Sequence, residues 1–278
     1  MSEESSRSLT TTNPSSLNLV FKSSCMLKKL QYVNCKNIIK LLFLCGVISY
    51  NPVLPSAQEY YASNSNITLL SDSYVAQPGD TLMLGIKFEL EKDWHTYWKN
   101  PGDAGEGASI EWDLPQGLSA SEILWPGPER IPVDPLMTFG YNDEVILLTK
   151  ISSTEIVRFP LTIEATVGWF TCKDICIPQE GKVDITIKKG DFEPSRDTGE
   201  IEKYLNTVPN EFPQNYRIQR LDDKYFIQGE IGNGQNFDNV YFFPSEYGLT
   251  DYTEAQIYEQ NLNSFILEIE ASKAKLDI

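Results

Sequence analysis

Along "TLMLGIKFEL" (Thr81–Leu90) apolar and polar positions alternate. Leu82, Leu84, Ile86, Phe88 and Leu90 fall on one face, Lys87 and Glu89 on the other. A two-residue period is the pattern of a strand with one buried face. It returns in "LTIEATV" (Leu161–Val167) and "KVDITIK" (Lys182–Lys188). Turn-forming runs such as "QPGD", "NPGDAG", "LPQG" and "WPGPERIPVDP" separate these segments. Short strands at this spacing, without alternating helices, predict an all-β fold built as an antiparallel sandwich.

Near Lys189–Thr198 the chain turns polar and carries a proline, in "KGDFEPSRDT". "GEIEKYLNTV" (Gly199–Val208) reads as a short linking helix. Strand-like segments then resume at Lys224–Ile231, Val240–Pro244, Ala255–Glu259 and Ser264–Ala271. The expected organisation is an extension over 1–57, a first β-domain over 58–192, and a linker helix with a smaller β-domain over 193–278. The second module has few strands and ends soon after one of them. It is expected to lean on the first module or to lack its last strand.

The extension runs from a basic patch at Lys28 and Lys29 through an apolar stretch centred on Leu41–Ile48 to "PSA". That is the order of a secretory signal peptide, with cleavage expected after Ala57 and a start at Met1 or Met26. The apolar run after Lys40 is shorter than the roughly 20 residues a membrane span needs. The rival readings are an uncleaved anchor and a lipid-modified Cys45, and the bulk of Leu44 argues against the second.

Composition supports a chain with a real core: 41% of the 278 residues are hydrophobic and 12% aromatic. The formal charge is -16; six Lys/Arg and two acidic residues lie in the extension, so the remainder carries -20. Such a surface repels phosphate backbones, which excludes nucleic acid as an expected partner. If the extension is removed on export, Cys25, Cys35 and Cys45 leave with it. The mature chain then keeps Cys172 and Cys176, in a compartment where disulfides persist.

Those two cysteines lie in "GWFTCKDICIP" (Gly168–Pro178). A bridge closing so short a loop gains about 2 kcal/mol from chain entropy, against nearly 5 for a loop of about a hundred residues. An extended segment would also hold the two Cα atoms beyond the roughly 7 Å a disulfide tolerates, so the chain must turn here. Neighbouring thiols suit reversible exchange, in which one resolves a mixed disulfide formed by the other. Lys173 favours a thiolate and Asp174 opposes it, so local charge does not choose between the cysteines.

Two other readings stay open. The thiolates could hold copper, which typically recruits a histidine or methionine as well. His95 is the chain's only histidine, and no His or Met follows Cys176. Zinc would need about four ligands. A Cys–His hydrolase would need an orienting Asn or Asp and an oxyanion hole, which no motif marks. The last reading is a non-catalytic interaction module whose bridge is only structural.

"DWHTYWKNPGDAG" (Asp93–Gly105), "LWPGPER" (Leu124–Arg130), "FGYNDEV" (Phe139–Val145) and "GWFTCKDICIP" occur in that order. Together they resemble the N-terminal domain of the thiol:disulfide interchange protein DsbD, and especially its ScsB-like branch linked to copper tolerance. The resemblance covers roughly Gln58–Lys188, and more loosely the second β-domain. It implies an immunoglobulin-like sandwich in the periplasm that carries reducing equivalents without a cofactor. A separate membrane protein would donate the electrons, and thioredoxin-like oxidoreductases would receive them. Within the family pattern, Cys176 forms the mixed disulfide and Cys172 resolves it. An aromatic cap over the pair maps first to Phe139 and then to Tyr141. Trp169 and Phe170, beside Cys172, are the candidates for shaping the site. The family's membrane and thioredoxin-like domains have no counterpart in these residues, and its cysteine spacing varies. C-x3-C fits the ScsB-like branch better than the best-known members.

Overall fold

The computed structural model describes residues 59–154, 157–210, 215–232, 236–237 and 240–273. The expected signal peptide and its cleavage point lie outside them. Twelve strands lead up to the one helix of the described residues. They begin with β1 (Glu59–Tyr61), β2 (Ser65–Ser71), β3 (Val75–Ala76), β4 (Thr81–Leu90), β5 (His95–Gly102) and β6 (Ser109–Asp113). They continue with β7 (Leu118–Ala120), β8 (Glu129–Val133), β9 (Leu136–Asn142), β10 (Glu144–Ser153), β11 (Leu161–Cys172) and β12 (Cys176–Lys189). After α1 (Thr198–Leu205) come β13 (Tyr216–Leu221), β14 (Lys224–Glu230), β15 (Ile257–Gln260) and β16 (Ser264–Glu270).

The first twelve strands form an immunoglobulin-like antiparallel β-sandwich. One sheet runs β1-β2-β4-β10-β7; the other runs β3-β12-β11-β5-β9-β8, with β6 also pairing β11. β4 follows its sequence pattern: Leu82, Leu84, Ile86 and Phe88 are all buried in the core between the sheets. Each such side chain contributes about 1.5–3 kcal/mol by leaving water. From the other sheet, Ile163, Ala165, Val167 and Trp169 of β11 meet them, one face of a strand whose burial alternates to its last turn.

β11 and β12 form one long hairpin in continuous register from Leu161↔Ile187 to Cys172↔Cys176. It extends well past the strand segments read from sequence, so the cysteines close the tip of a hairpin. α1 covers the outside of the first sheet, where Ile201 packs with Leu70, Ile146 and Leu148.

The C-terminal strands form a third sheet in the order β13-β14-β16-β15. Val240–Pro244, expected as a strand, is not one. It keeps the alternation, but its two faces serve two cores. Tyr241 and Phe243 pack against the sandwich core, while Val240 and Phe242 pack against Ile227, Leu267 and Ile269 of the third sheet. A side-chain amide takes the place of a neighbouring strand. Phe242 N–H donates to Gln256 Oε1 at 2.8 Å, and Gln256 Nε2 donates back to the Phe242 carbonyl at 2.9 Å.

Candidate functional site

The disulfide joins Cys172, the last residue of β11, to Cys176, the first of β12, with Cα atoms 4.1 Å apart. Lys173, Asp174 and Ile175 make the loop between them, so the turn required by geometry is the hairpin itself. Register extends the row sideways: Cys172 pairs with His95 of β5, and His95 with Asn142 of β9. Asn142, His95, Cys172 and Cys176 therefore lie in line across four neighbouring strands, with side chains on one face of the sheet. It is the outer face, because β11 gives the core its residues of opposite parity.

The two sulfur-bearing residues differ in access. Cys172 is 2% exposed, whereas Cys176 is exposed. Tyr97, two residues after His95 and on the same face, reaches the pair: its hydroxyl lies 3.3 Å from Cys176 Sγ. A disulfide sulfur has no proton to give, so the tyrosine is the donor. Burial pushes the Tyr97 hydroxyl above its ordinary range and keeps it protonated.

The ring of Tyr97 is covered from outside by the backbone at Gly105. A Cβ built there collides with the Tyr97 ring, and the residue's φ of +101° belongs to the region glycine favours. The "NPGDAG" run is thus both a turn and the cover of Tyr97. Beside Tyr97 stands His95, the two rings nearly perpendicular with centroids 5.3 Å apart. His95 is buried, its imidazole is less basic than usual because of that burial, and its Nε2 has no hydrogen-bond partner.

Phe170 shares the face of Cys172 and sits opposite Pro178. Its carbonyl accepts a hydrogen bond from Thr96 Oγ1 at 2.9 Å. It lines a cavity of about 130 Å³ together with Glu106, Gly107 and Pro178. Trp169, one residue away, projects into the core instead. Its ring packs on Phe88, and its Nε1 donates to Ser65 Oγ at 3.0 Å. Ser65 Oγ in turn donates to Gln179 Oε1 at 3.0 Å, and Gln179 Nε2 donates to Thr171 Oγ1 at 2.6 Å. Trp169 therefore anchors the hairpin close to its tip, from the face away from the sulfurs.

Phe139 and Tyr141, expected over the disulfide, also project to the opposite face. On β9 the residues paired with Tyr97 and His95 are Gly140 and Asn142, and the odd-numbered neighbours point inward. Phe139 is wholly buried between Phe243 and Tyr252, each ring 5.0 Å away. Tyr141 donates its hydroxyl to the Pro126 carbonyl at 2.8 Å. The aromatic hydroxyl beside Cys176 Sγ is that of Tyr97.

At the hairpin tip Lys173 Nζ pairs with Asp93 at 3.2 Å, both substantially exposed, an interaction worth about 0–1 kcal/mol. Ile175 is exposed beside it. Among the described residues no group of three or more His, Cys, Asp and Glu is arranged to hold a metal ion. Nor, among them, is any helix long and apolar enough to cross a membrane.

Residues 68–188 match the family described as thiol:disulfide interchange protein DsbD, N-terminal. The fold is similar to the crystal structure of the N-terminal periplasmic domain of ScsB from Proteus mirabilis, with a TM-score of 0.60 and 15% identity. That likeness covers 80% of this chain and 86% of the ScsB domain, so it extends beyond residues 68–188. No curated protein matches in sequence.

Proposed function

With residues 68–188 forming a DsbD N-terminal-like domain, we propose that the chain is an exported thiol:disulfide interchange protein working through Cys172 and Cys176. A separate membrane protein supplies electrons, and thioredoxin-like periplasmic oxidoreductases receive them. In this reading the redox domain is 58–192, and 193–278 is a linker helix with a second, smaller β-domain. Localisation in the periplasm follows from the expected signal peptide and agrees with the origin of the ScsB domain.

One observation carries this reading: the sulfur of an exposed residue is bonded to that of a buried one at a hairpin tip. In the reduced chain, the Cys176 thiolate attacks a client disulfide, and the client's second sulfur leaves as a thiolate. Cys172 then attacks Cys176 Sγ, the Cys172–Cys176 bond forms, and the client departs with both electrons. The Tyr97 hydroxyl stabilises negative charge on Cys176, as a hydrogen bond to a charged acceptor does. The exposed Ile175 gives a partner an apolar foothold next to the attacked sulfur.

The test is the reduction potential of the pair, equilibrated against glutathione and thioredoxin buffers. A value between about -180 and -270 mV is expected for an exchange protein. A value below about -300 mV would mark a structural bridge and end the proposal. Trapping gives a second readout. Cys172→Ser should accumulate a mixed disulfide with oxidised thioredoxin through Cys176, and Cys176→Ser should not.

A further inference from the structure

We infer that His95 is the base that takes the proton from Cys172 when that buried thiol resolves a mixed disulfide on Cys176. The inference rests on the exchange reading above and assigns a role to a residue outside the cysteine pair.

Resolution poses a problem that the first attack does not. Cys176 can lose its proton to water, but Cys172 is 2% exposed. Burial disfavours a thiolate, and little water reaches the site to accept the proton. An acceptor has to be built in. His95 is the direct cross-strand partner of Cys172 on the same face, where Cβ atoms lie about 4.5–5.5 Å apart. It is itself 4% exposed.

The state of its Nε2 points the same way. A buried polar atom without a partner is rare in a folded protein and asks for an explanation. Nε2 of His95 is such an atom while the cysteines are bonded to each other. A disulfide has no S–H to donate, but a reduced Cys172 has one. Freed from Cys176, Cys172 Sγ can turn to donate to this acceptor. With the proton on Nδ1, Nε2 carries the free lone pair, and burial, which lowers the ring's basicity, holds it in the neutral form that has that lone pair to offer.

The step balances. Nε2 takes the Cys172 proton, and the thiolate attacks Cys176 Sγ. The Cys172–Cys176 bond forms as the Cys176–client bond breaks, and the electron pair leaves on the client sulfur. The proton then passes from the imidazolium to that thiolate or to water. The titratable groups nearest His95 on this face are Tyr97 on the same strand, Cys172 on β11, Cys176 on β12 and, beyond β9, Glu129 of β8, whose carboxylate accepts from Asn142 Nδ2 at 2.9 Å. β9 contributes the uncharged Asn142, and the tip charges Asp93 and Lys173 are paired with each other.

The experiment uses the full chain carrying Cys25→Ser, Cys35→Ser and Cys45→Ser, so that only the pair reacts. The reduced protein is mixed in stopped flow with one equivalent of a chromogenic aryl disulfide. Attack by Cys176 releases one coloured thiolate, and resolution by Cys172 releases a second. His95→Gln and His95→Phe are expected to slow the second release at neutral pH by about tenfold to a hundredfold, with the first release within about twofold. The loss should shrink as pH rises and Cys172 ionises unaided. A second phase unchanged in both variants, or both phases slowed alike, overturns the assignment. If the unsubstituted pair releases no second equivalent, the exchange reading fails and this inference with it. A measurement without substitution at His95 adds an independent check. As the chain's only histidine, it gives one imidazole in isotope-labelled nitrogen NMR. Its Nε2 signal should move on reduction to that of a hydrogen-bonded acceptor, and an unmoved signal overturns the proposal.

Discussion

The Tyr97 hydroxyl lies 3.3 Å from Cys176 Sγ, reaching the exposed end of the disulfide from a strand that does not pair with β12. The ring packs against His95 and against the backbone of Gly105, so the hydroxyl is held in place before any client arrives. Tyr97→Phe keeps the ring and deletes one donor. A hydrogen bond to a charged acceptor is worth about 1.5–3 kcal/mol, and solvent replaces part of it at an exposed sulfur. Alkylation of reduced Cys176 near neutral pH should therefore slow by about threefold to tenfold, with the unfolding midpoint little changed. An unaltered rate would show that the contact does not act on the thiolate.

Phe139→Ala separates a core residue from a lid. Phe139 is wholly buried against Phe243 and Tyr252. Truncating a buried Phe to Ala costs about 3–5 kcal/mol. Urea unfolding should register that loss while alkylation of Cys176 in the folded chain stays at its original rate. Faster alkylation with little loss of stability would restore Phe139 to the role of cap.

The fold was largely legible because burial in a sandwich imposes a period of two, which β4 and β11 display. The hairpin was also implicit, since two cysteines so close can bond only across a turn. What a one-dimensional pattern does not contain is which face of one strand lines up with which face of the next. Phe139 and Tyr141 stand on the wrong parity for the cysteines, and only the register of β9 on β5 reveals it. The place of Tyr97 beside Cys176 is hidden from a one-dimensional pattern for the same reason. One signal was available: His95 and Tyr97 are two apart, hence on one face, and a lone histidine on a strand asks what it faces. β13 leaves no alternation in the sequence to find, because every one of its residues is exposed. Val240–Pro244 alternates like a strand because it bridges two cores.

Gly105→Ala tests the cover over Tyr97. An alanine at this φ is strained, and its Cβ would collide with the tyrosine ring. A left-handed backbone costs a non-glycine residue about 1–2 kcal/mol. The loop should lift, lowering the urea midpoint and exposing the sulfur pair. Reduced Cys176 is then expected to react faster with a small alkylating agent, the opposite direction from Tyr97→Phe. If both rate and midpoint hold, the loop adapts without uncovering the site.

The attachment of α1 to the sandwich is expected to weaken in acid. Lys87 Nζ lies 3.0 Å from Glu144 and 2.7 Å from Glu200, joining β4, β10 and α1. Tyr204 of α1 donates to Glu144 Oε1 at 3.0 Å. Burial pulls the Glu144 carboxyl upward, but the hydrogen bonds from Lys87 and Tyr204 outweigh it and hold the group below its ordinary 4.5. A carboxyl whose pKa is lower in the folded chain binds its proton more readily when unfolded. Its contribution to stability is thus whole above about 4.5 and is lost as pH falls through the folded value. Urea midpoints should drop as pH falls below 4.5, and Glu144→Gln, which cannot titrate, should make that drop shallower while lowering the midpoint at neutral pH. Parallel curves for the two proteins would place the acid sensitivity in other carboxylates.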